Sequence, residues 1–288
     1  MKKLKLISSF LVLLVVFPSN SQEKLEFTLT HEDQTYIQSF KDSMPLDNPM
    51  ALIGIGYLDV YMGNNERGNR VMQYGLSKIE EADFEVLHEI SVQNTKNGNY
   101  ALAYKYLTQA AELDPEVYGY SGWVMLYYYR DYKRALKYLT IYDSLTPNFS
   151  DFPMGESLFY LKGLAYMQLE KYDEAVIEFD KYIDEITVKN GIDWVECSTF
   201  YYKGISLLKI GKNKEALKSF DQAIENNKYY PEALFQKSLL LKKNERLRVL
   251  QQAKILFKEG YARQDTYIEF FDSIYLQDVE RAIYDCSK

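Results

Sequence analysis

The sequence predicts an all-α protein, a solenoid built from consecutive antiparallel helix pairs. Within residues 200–223, large and small apolar residues recur three or four positions apart, which is the spacing of one face of a helix. A Gly-Lys-Asn turn divides that stretch into two short helices. Comparable pairs of segments recur along the chain with a basic period near 34 residues, which is typical of helical repeats. Two intervals are longer, and we place the insertions that lengthen them at residues 148–156 and 187–194, both rich in turn residues.

The helix pair at residues 200–223 shows the pattern most clearly. Its packing positions are occupied by Phe200, Gly204, Leu207, Ala216, Phe220 and Ala223. Glycine inside a helix costs about 1 kcal/mol relative to alanine. Gly204 therefore predicts a close approach of the second helix, which presents the small residues Ala216 and Ala223.

This order of large and small residues resembles a tetratricopeptide repeat, with Leu207 in place of the family's usual tyrosine. The resemblance implies a right-handed superhelical solenoid of antiparallel helix pairs. It also implies that the protein holds peptides or other proteins, since that is the role of the family.

The chain of 288 residues divides into four predicted segments. These are a signal peptide at residues 1–21, an N-terminal helical segment at 22–47, about six helix pairs at 48–264, and one or more capping helices at 265–288. Thr30 with Asp33 predicts a capping box that begins a helix from His31 to about Met44. The first and last pairs diverge from the pattern. In the third pair the first helix, around residues 123–129, is displaced by one or two positions, which leaves its register open.

Residues 1–21 have the layout of a secretory signal peptide. Three lysines precede an apolar run at residues 11–17, and small residues follow it as far as Ser21. The apolar run is too short to cross a bilayer, which takes about 20 residues. We therefore expect cleavage before Gln22, export to the periplasm or out of the cell, and no stable membrane span afterwards.

The charge and composition favour protein partners over nucleic acid. The formal net charge is −7, and removal of the lysines in the signal peptide would make it more negative. Nucleic acid binding depends on neutralising phosphates with lysine and arginine, so an acidic chain is poorly suited to it. Neutral or basic proteins remain suitable partners.

The sequence contains no pattern that predicts catalysis, a cofactor or a metal site. His88 lacks the second histidine of a zinc protease motif, and Gly54 and Gly56 lack the third glycine of a dinucleotide loop. Cys197 and Cys286 are the only cysteines, and their spacing does not suit a metal site. Export would permit a disulfide between them, while two separate thiols are the alternative.

Three functions are compatible with this pattern. The first is a non-enzymatic scaffold that binds a protein or peptide in its concave groove, as part of an envelope or secretion assembly. The second is a glycan-binding or uptake-system accessory protein, although such proteins are usually longer and lipid-anchored. The third is a groove-based carboxylate hydrolase, which would need a pair of inward-facing acidic residues. The acidic residues here lie on polar helix faces, where a solvated surface explains them.

The resemblance also predicts where a partner binds, because in this family the first helix of each pair lines the concave face. The inward positions give eight candidates for the groove: Tyr57, Tyr61, His88, Tyr120, Tyr127, Tyr160, Tyr201 and Lys209. Tyrosine offers a large contact area and a polar end, which suits protein recognition. The alternative is that several of these tyrosines pack against the neighbouring repeat.

Overall fold

The structure is a computed structural model that describes residues 29–79, 82–147, 151–261, 271 and 273–288. Within these residues the regular elements are fourteen α-helices and two short 3-10 turns, with no strand, so the predicted fold class is confirmed. The predicted signal peptide lies outside the described residues. The chain divides into two compact units, Met1–Ala82 and Asp83–Lys288, which are treated separately below.

The first unit contains helices α1 (His31–Gln38), α2 (Pro49–Tyr61) and α3 (Asn65–Ser77). The predicted capping box is present, because the Asp33 N–H donates to Thr30 Oγ1 at 3.1 Å and the Thr30 N–H donates to Asp33 Oδ2 at 2.8 Å. The expected end of α1 near Met44 is wrong. The helix ends at Gln38 because the following residues form separate turns, such as the bond from the Ser43 N–H to the Phe40 carbonyl at 2.9 Å.

Glycines hold α2 and α3 in backbone contact. A Cβ atom added at Gly56 would lie 2.6 Å from the carbonyl oxygen of Gly68, and one added at Gly68 would lie 2.5 Å from the carbonyl oxygen of Gly56. Such distances leave room for hydrogen only. The divergence of this first pair in sequence therefore has a steric reason, since its helices cross more closely than a side chain permits.

Two buried aspartates tie the helices of the first unit together. Asp59 on α2 accepts hydrogen bonds from Arg67 Nε at 2.6 Å and Arg67 Nη2 at 2.8 Å. Asp33 on α1 accepts from Arg70 Nη2 at 2.8 Å and Nε at 3.0 Å. The Arg70 hydrogen bonds, with those from Thr30, lower the pKa of Asp33 to about 2 despite its burial. The carboxylate therefore stays ionised and paired at neutral pH.

The second unit is a series of five helix pairs followed by a single helix. The pairs are α4 (Phe84–Lys96) with α5 (Tyr100–Leu113), α6 (Val117–Tyr127) with α7 (Tyr132–Asp143), α8 (Leu158–Gln168) with α9 (Tyr172–Asn190), α10 (Cys197–Lys209) with α11 (Asn213–Asn226), and α12 (Pro231–Leu239) with α13 (Lys243–Lys258). Helix α14 (Leu276–Ser287) packs on α13, where Val279 and Leu250 share one buried cluster. Each pair also packs on the next one along the chain, which gives the unit a continuous core.

In the pairs α8–α9 and α10–α11, the two helices approach each other through a glycine under a large side chain. A Cβ atom at Gly204 on α10 would lie 2.6 Å from Cε1 of Phe220 on α11, and Gly163 has the same relation to Phe179. The close approach predicted at Gly204 is therefore present. Its partner is different, since the Phe220 ring occupies the space that Ala216 and Ala223 were expected to provide.

The third pair has one extra residue between its packing positions. Gly122 on α6 lies under Leu139, and one residue more separates these two than separates Gly204 from Phe220. A Cβ atom at Gly119 would lie 3.0 Å from Cζ of Tyr142. The absent side chain at Gly119 thus makes room for Tyr142, at the position that Ala223 occupies in the pair of α10 and α11, and this fixes the register that the sequence left open.

Cys197 and Cys286 are not joined by a disulfide in the structure. Cys286 is buried in α14, while Cys197 is half-buried at the first residue of α10, where the Asn227 amide donates to its sulfur at 3.9 Å. Of the two possibilities left open by the sequence, the structure has separate thiols.

We expect Gly204→Ala to lower the free energy of unfolding by at least about 1 kcal/mol, because the added methyl group would overlap the Phe220 ring. The matched control is Gly54→Ala in α2, where nothing lies within 4 Å of the added Cβ. There the change should stabilise by up to about 1 kcal/mol, since alanine is the better helix former. Urea denaturation followed by circular dichroism measures both, and equal effects would contradict the packing described here.

Candidate functional site

The predicted groove residues are divided between the two units. In the first unit, Tyr57 and Tyr61 lie on α2, with ring centroids 6.5 Å apart, and Tyr61 is 75% exposed. The other six lie on the first helices of pairs in the second unit: His88 on α4, Tyr120 and Tyr127 on α6, Tyr160 on α8, and Tyr201 and Lys209 on α10. The structure therefore brings these six onto one side of consecutive pairs, and their accessibility decides which can meet a partner.

Tyr160 and Tyr201 are packing residues, which corrects their assignment to an open groove. Tyr201 is 2% exposed, and its ring lies 6.1 Å from that of Phe220 and 5.2 Å from that of Tyr230. Tyr160 is also buried, with the Phe179 ring at 6.1 Å. The physical reason is the alternative noted above, because a large side chain beside the packing position also reaches the neighbouring repeat.

A row of half-buried aromatic side chains runs from α4 along α6. The His88 and Tyr120 rings meet edge-on at 4.6 Å, Tyr120 stacks on Trp123 at 6.2 Å, and Trp123 meets the Tyr127 ring at 5.4 Å. Burial lowers the pKa of His88, against a smaller opposite effect of Glu89, so the imidazole is neutral at neutral pH. We call His88, Tyr120, Trp123 and Tyr127 the aromatic face.

Glu156 fixes the orientation of two members of the aromatic face. The Trp123 Nε1–H donates to Glu156 Oε2 at 2.8 Å, and the Tyr127 hydroxyl donates to Glu156 Oε1 at 3.0 Å. Burial, together with Tyr160 and Glu156 nearby, raises the pKa of Tyr127 well above its ordinary value. The hydroxyl therefore keeps its proton and remains a donor. Because Glu156 lies in the insertion before α8, the helical pattern gave no signal for this role.

Phe271 occupies the end of the aromatic face next to Tyr127. Its ring stacks on that of Tyr127 at 5.9 Å and meets the rings of Tyr132 and Tyr202 edge-on at 6.1 and 6.4 Å. The Arg130 guanidinium lies 4.6 Å from its centroid, and the Tyr202 hydroxyl donates to the Phe271 carbonyl at 3.3 Å. We call Tyr127, Arg130, Tyr132 and Tyr202 the Phe271 pocket.

The parts of the chain that the structure describes contain no group of His, Cys, Asp or Glu side chains placed to hold a metal ion. Among the helices of the described ranges, none combines the length and the apolar character needed to cross a bilayer. The side chains assembled on the first helices are mainly aromatic, and they interact through ring contacts and hydrogen bonds.

Two segments of the chain, residues 85–117 and 156–185, match the tetratricopeptide repeat family model. The first segment covers most of α4 and α5, and the second covers α8 and much of α9. The helix pairs have the tetratricopeptide fold. Comparison with curated protein sequences found no match.

Solved tetratricopeptide structures share this fold at low sequence identity. The C-terminal part of a tetratricopeptide repeat-containing protein from Cytophaga hutchinsonii is 16% identical with a TM-score of 0.57, and the match covers 78% of this chain and 90% of that one. A tetratricopeptide repeat protein from Parabacteroides merdae is 11% identical with a TM-score of 0.54, over 89% of this chain and 91% of that one. A double mutant of MamA from strain RS-1 is 15% identical with a TM-score of 0.53, over 63% and 98%.

We expect Tyr201→Ala to lower the free energy of unfolding by about 3 kcal/mol or more, since it removes a ring buried between two tetratricopeptide pairs. Lys209→Ala, on an exposed position of the same helix, should change it by less than about 0.5 kcal/mol. Denaturant unfolding distinguishes the two residues. If the Tyr201→Ala protein were as stable as the wild type, the assignment of Tyr201 as a packing residue would be contradicted.

Proposed function

We propose that this protein is a non-enzymatic scaffold, exported from the cell, that binds another protein through the aromatic face of its tetratricopeptide pairs. Its place would be in an envelope or secretion assembly. The observation that carries the proposal is the binding of the Phe271 ring and carbonyl by side chains of the helix pairs. This residue lies 69 positions beyond Tyr202 in the chain, yet both its ring and its carbonyl are held by side chains of the pairs.

A surface that binds an extended peptide segment can recognise both its side chains and its main chain. Side chains from α6, the turn after it, the start of α7 and α10 do both at Phe271, through three rings, a guanidinium group and a hydroxyl donor. The adjoining aromatic face adds Tyr120 and Trp123, which are half-buried. Tyrosine, tryptophan and arginine are the residues that most often dominate protein interfaces.

The aromatic face is also held rigid before a partner arrives. The paired hydrogen bonds of Glu156 hold Trp123 and Tyr127, and Tyr120 stacks against Trp123. A rigid aromatic surface loses little conformational entropy on binding, which leaves more of the contact energy as affinity. This supports a binding role for a surface that carries no evident chemistry.

The export part of the proposal rests on the layout of residues 1–21. We expect the protein purified from its own cells to begin at Gln22. N-terminal sequencing checks this, and a protein that still begins at Met1 would contradict export through a cleaved signal peptide.

The binding part is tested by placing a photo-crosslinking benzoylphenylalanine at Tyr120 and, separately, at Tyr138. Both are half-buried tyrosines of the third pair, but Tyr120 lies on its first helix and Tyr138 on its second. After irradiation of living cells, we expect Tyr120 to form an adduct with one defined protein, identified by mass spectrometry, and Tyr138 to form none. Adducts at Tyr138 alone, or equally at both positions, would contradict binding at the aromatic face.

A second measurement then uses the captured partner in purified form. We expect Tyr120→Ala to weaken its binding by at least about 1 kcal/mol, as is typical of an interface tyrosine, without loss of helical content. Unchanged affinity would remove Tyr120 from the interface.

A further inference from the structure

We propose that Phe271 is an intramolecular occupant of the partner site. The Phe271 pocket takes an aromatic side chain of the partner's peptide segment, and that side chain replaces Phe271 when the partner binds. This inference rests on the proposed function and adds to it the chemistry of the ligand and a reason why the site is closed in the free protein.

The pocket has the composition of an aromatic-binding site. Tyr127 offers a ring face to Phe271 at 24° from parallel, whereas Tyr132 and Tyr202 meet it at 68° and 71°. Stacked and edge-on arrangements are the two that the ring quadrupole favours, and a cation over the face adds attraction. Aliphatic side chains cannot make these contacts, so the geometry favours phenylalanine or another aromatic residue in the partner.

The contacts within the helix pairs that form the pocket do not include Phe271. Leu139 of α7 covers Gly122 of α6, and Phe220 of α11 covers Gly204 of α10. Phe271 is 6% exposed, and its ring covers that of Tyr202, which is 1% exposed. Another aromatic side chain in the place of Phe271 would cover Tyr202 in the same way and would leave the contacts within the pairs unchanged.

The Arg130 guanidinium group is the charged member of the pocket and lies 4.6 Å from the centre of the Phe271 ring. Its φ angle is 54°, in the left-handed region that Gly98 and Gly211 adopt in the turns after α4 and α10 and that Glu170 adopts, at 59°, after α8. This backbone conformation belongs to the turn, so the contribution of Arg130 to the pocket comes from its side chain.

The carbonyl contact defines the rest of the ligand. The Tyr202 hydroxyl donates to the main-chain carbonyl of Phe271 at 3.3 Å. A partner residue that replaces Phe271 would present the same carbonyl if it lay within a peptide segment, whereas a free aromatic compound would not. The expected ligand is therefore an aromatic residue inside a polypeptide.

The test uses the full-length protein and a fluorescein-labelled peptide with the sequence of residues 264–276, QDTYIEFFDSIYL, which contains Phe271. Fluorescence anisotropy measures its binding to the wild type and to the Phe271→Ala protein. We expect the Phe271→Ala protein to bind the peptide at least ten-fold more tightly, because its pocket is vacant. The same peptide with alanine in place of Phe271 should bind that protein at least ten-fold more weakly.

Arg130→Gly in the Phe271→Ala protein provides a matched control for the pocket. Glycine suits the φ angle of this turn, so the backbone is not strained by the change, and only the guanidinium group is lost. We expect at least a three-fold loss of peptide affinity. A second control is Lys137→Ala, which removes a cationic side chain from the exposed side of α7. This change should leave the affinity for the peptide unchanged.

Two results would overturn the inference. One is a folded Phe271→Ala protein that binds the peptide no better than the wild type does, or binds the two peptides equally. The other involves two variants: the Phe271→Ala protein unfolds, and the Phe271→Leu protein remains folded but does not bind the peptide. Phe271 would then be needed for folding as a core residue and would not be a replaceable occupant. If either of these results is found while Tyr120 still forms an adduct with a partner, only the role of Phe271 is contradicted and the scaffold function stands. If the Phe271→Ala protein binds the peptide but Tyr120 forms no adduct, the scaffold function is contradicted and the pocket still binds an aromatic peptide.

Discussion

The three central pairs of the second unit depend on one repeated contact, in which a large side chain of the second helix lies against a glycine of the first. Phe179 over Gly163 and Phe220 over Gly204 show it most directly, and Leu139 over Gly122 is the variant in the third pair. Full burial of such a side chain contributes about 1.5–3 kcal/mol. The contact also brings the two helices of these pairs close together, since a Cβ atom at the glycine would overlap the facing side chain.

This arrangement determines which surfaces remain for binding. The second helices supply the large side chains that cover these glycines, and the first helices carry the remaining aromatic side chains. Along α8 and α10 those side chains are largely buried, Tyr160 and Tyr201 among them. Along α4 and α6 they stay half-exposed, with Tyr120 and Trp123 as the main contributors. The accessible aromatic side chains of the first helices are therefore concentrated at the earlier pairs of the unit, next to Phe271.

The features predicted correctly from the sequence are those with a local cause. The helical spacing in residues 200–223 identified six packing residues that are all buried, and the Thr30 capping box follows from a hydrogen-bond pattern three residues long. The misassignment of Tyr201 has a different origin. Its burial comes from Tyr230 in the next pair, and the helical period within one repeat does not reveal contacts between repeats.

Glu156 and Phe271 could not have been assigned from the sequence, because their contacts join remote positions. Glu156 bonds to Trp123 across 33 positions, and Phe271 bonds to Tyr202 across 69. Both residues lie outside the helices, where no periodicity constrains the side chain. The periodic residues determine how each helix pair packs. Residues outside the helices, such as Glu156 and Phe271, make contacts that the period does not predict.

Tyr127 connects the two halves of the candidate site. It contacts Trp123 on one side and Phe271 on the other, and its hydroxyl is fixed by Glu156. The aromatic face and the Phe271 pocket are therefore one continuous surface with a shared member. A peptide that placed an aromatic residue in the pocket would have its neighbouring residues beside Trp123 and Tyr120. Such a ligand would gain contacts that Phe271 alone does not make, which is the condition for an external segment to replace an internal one.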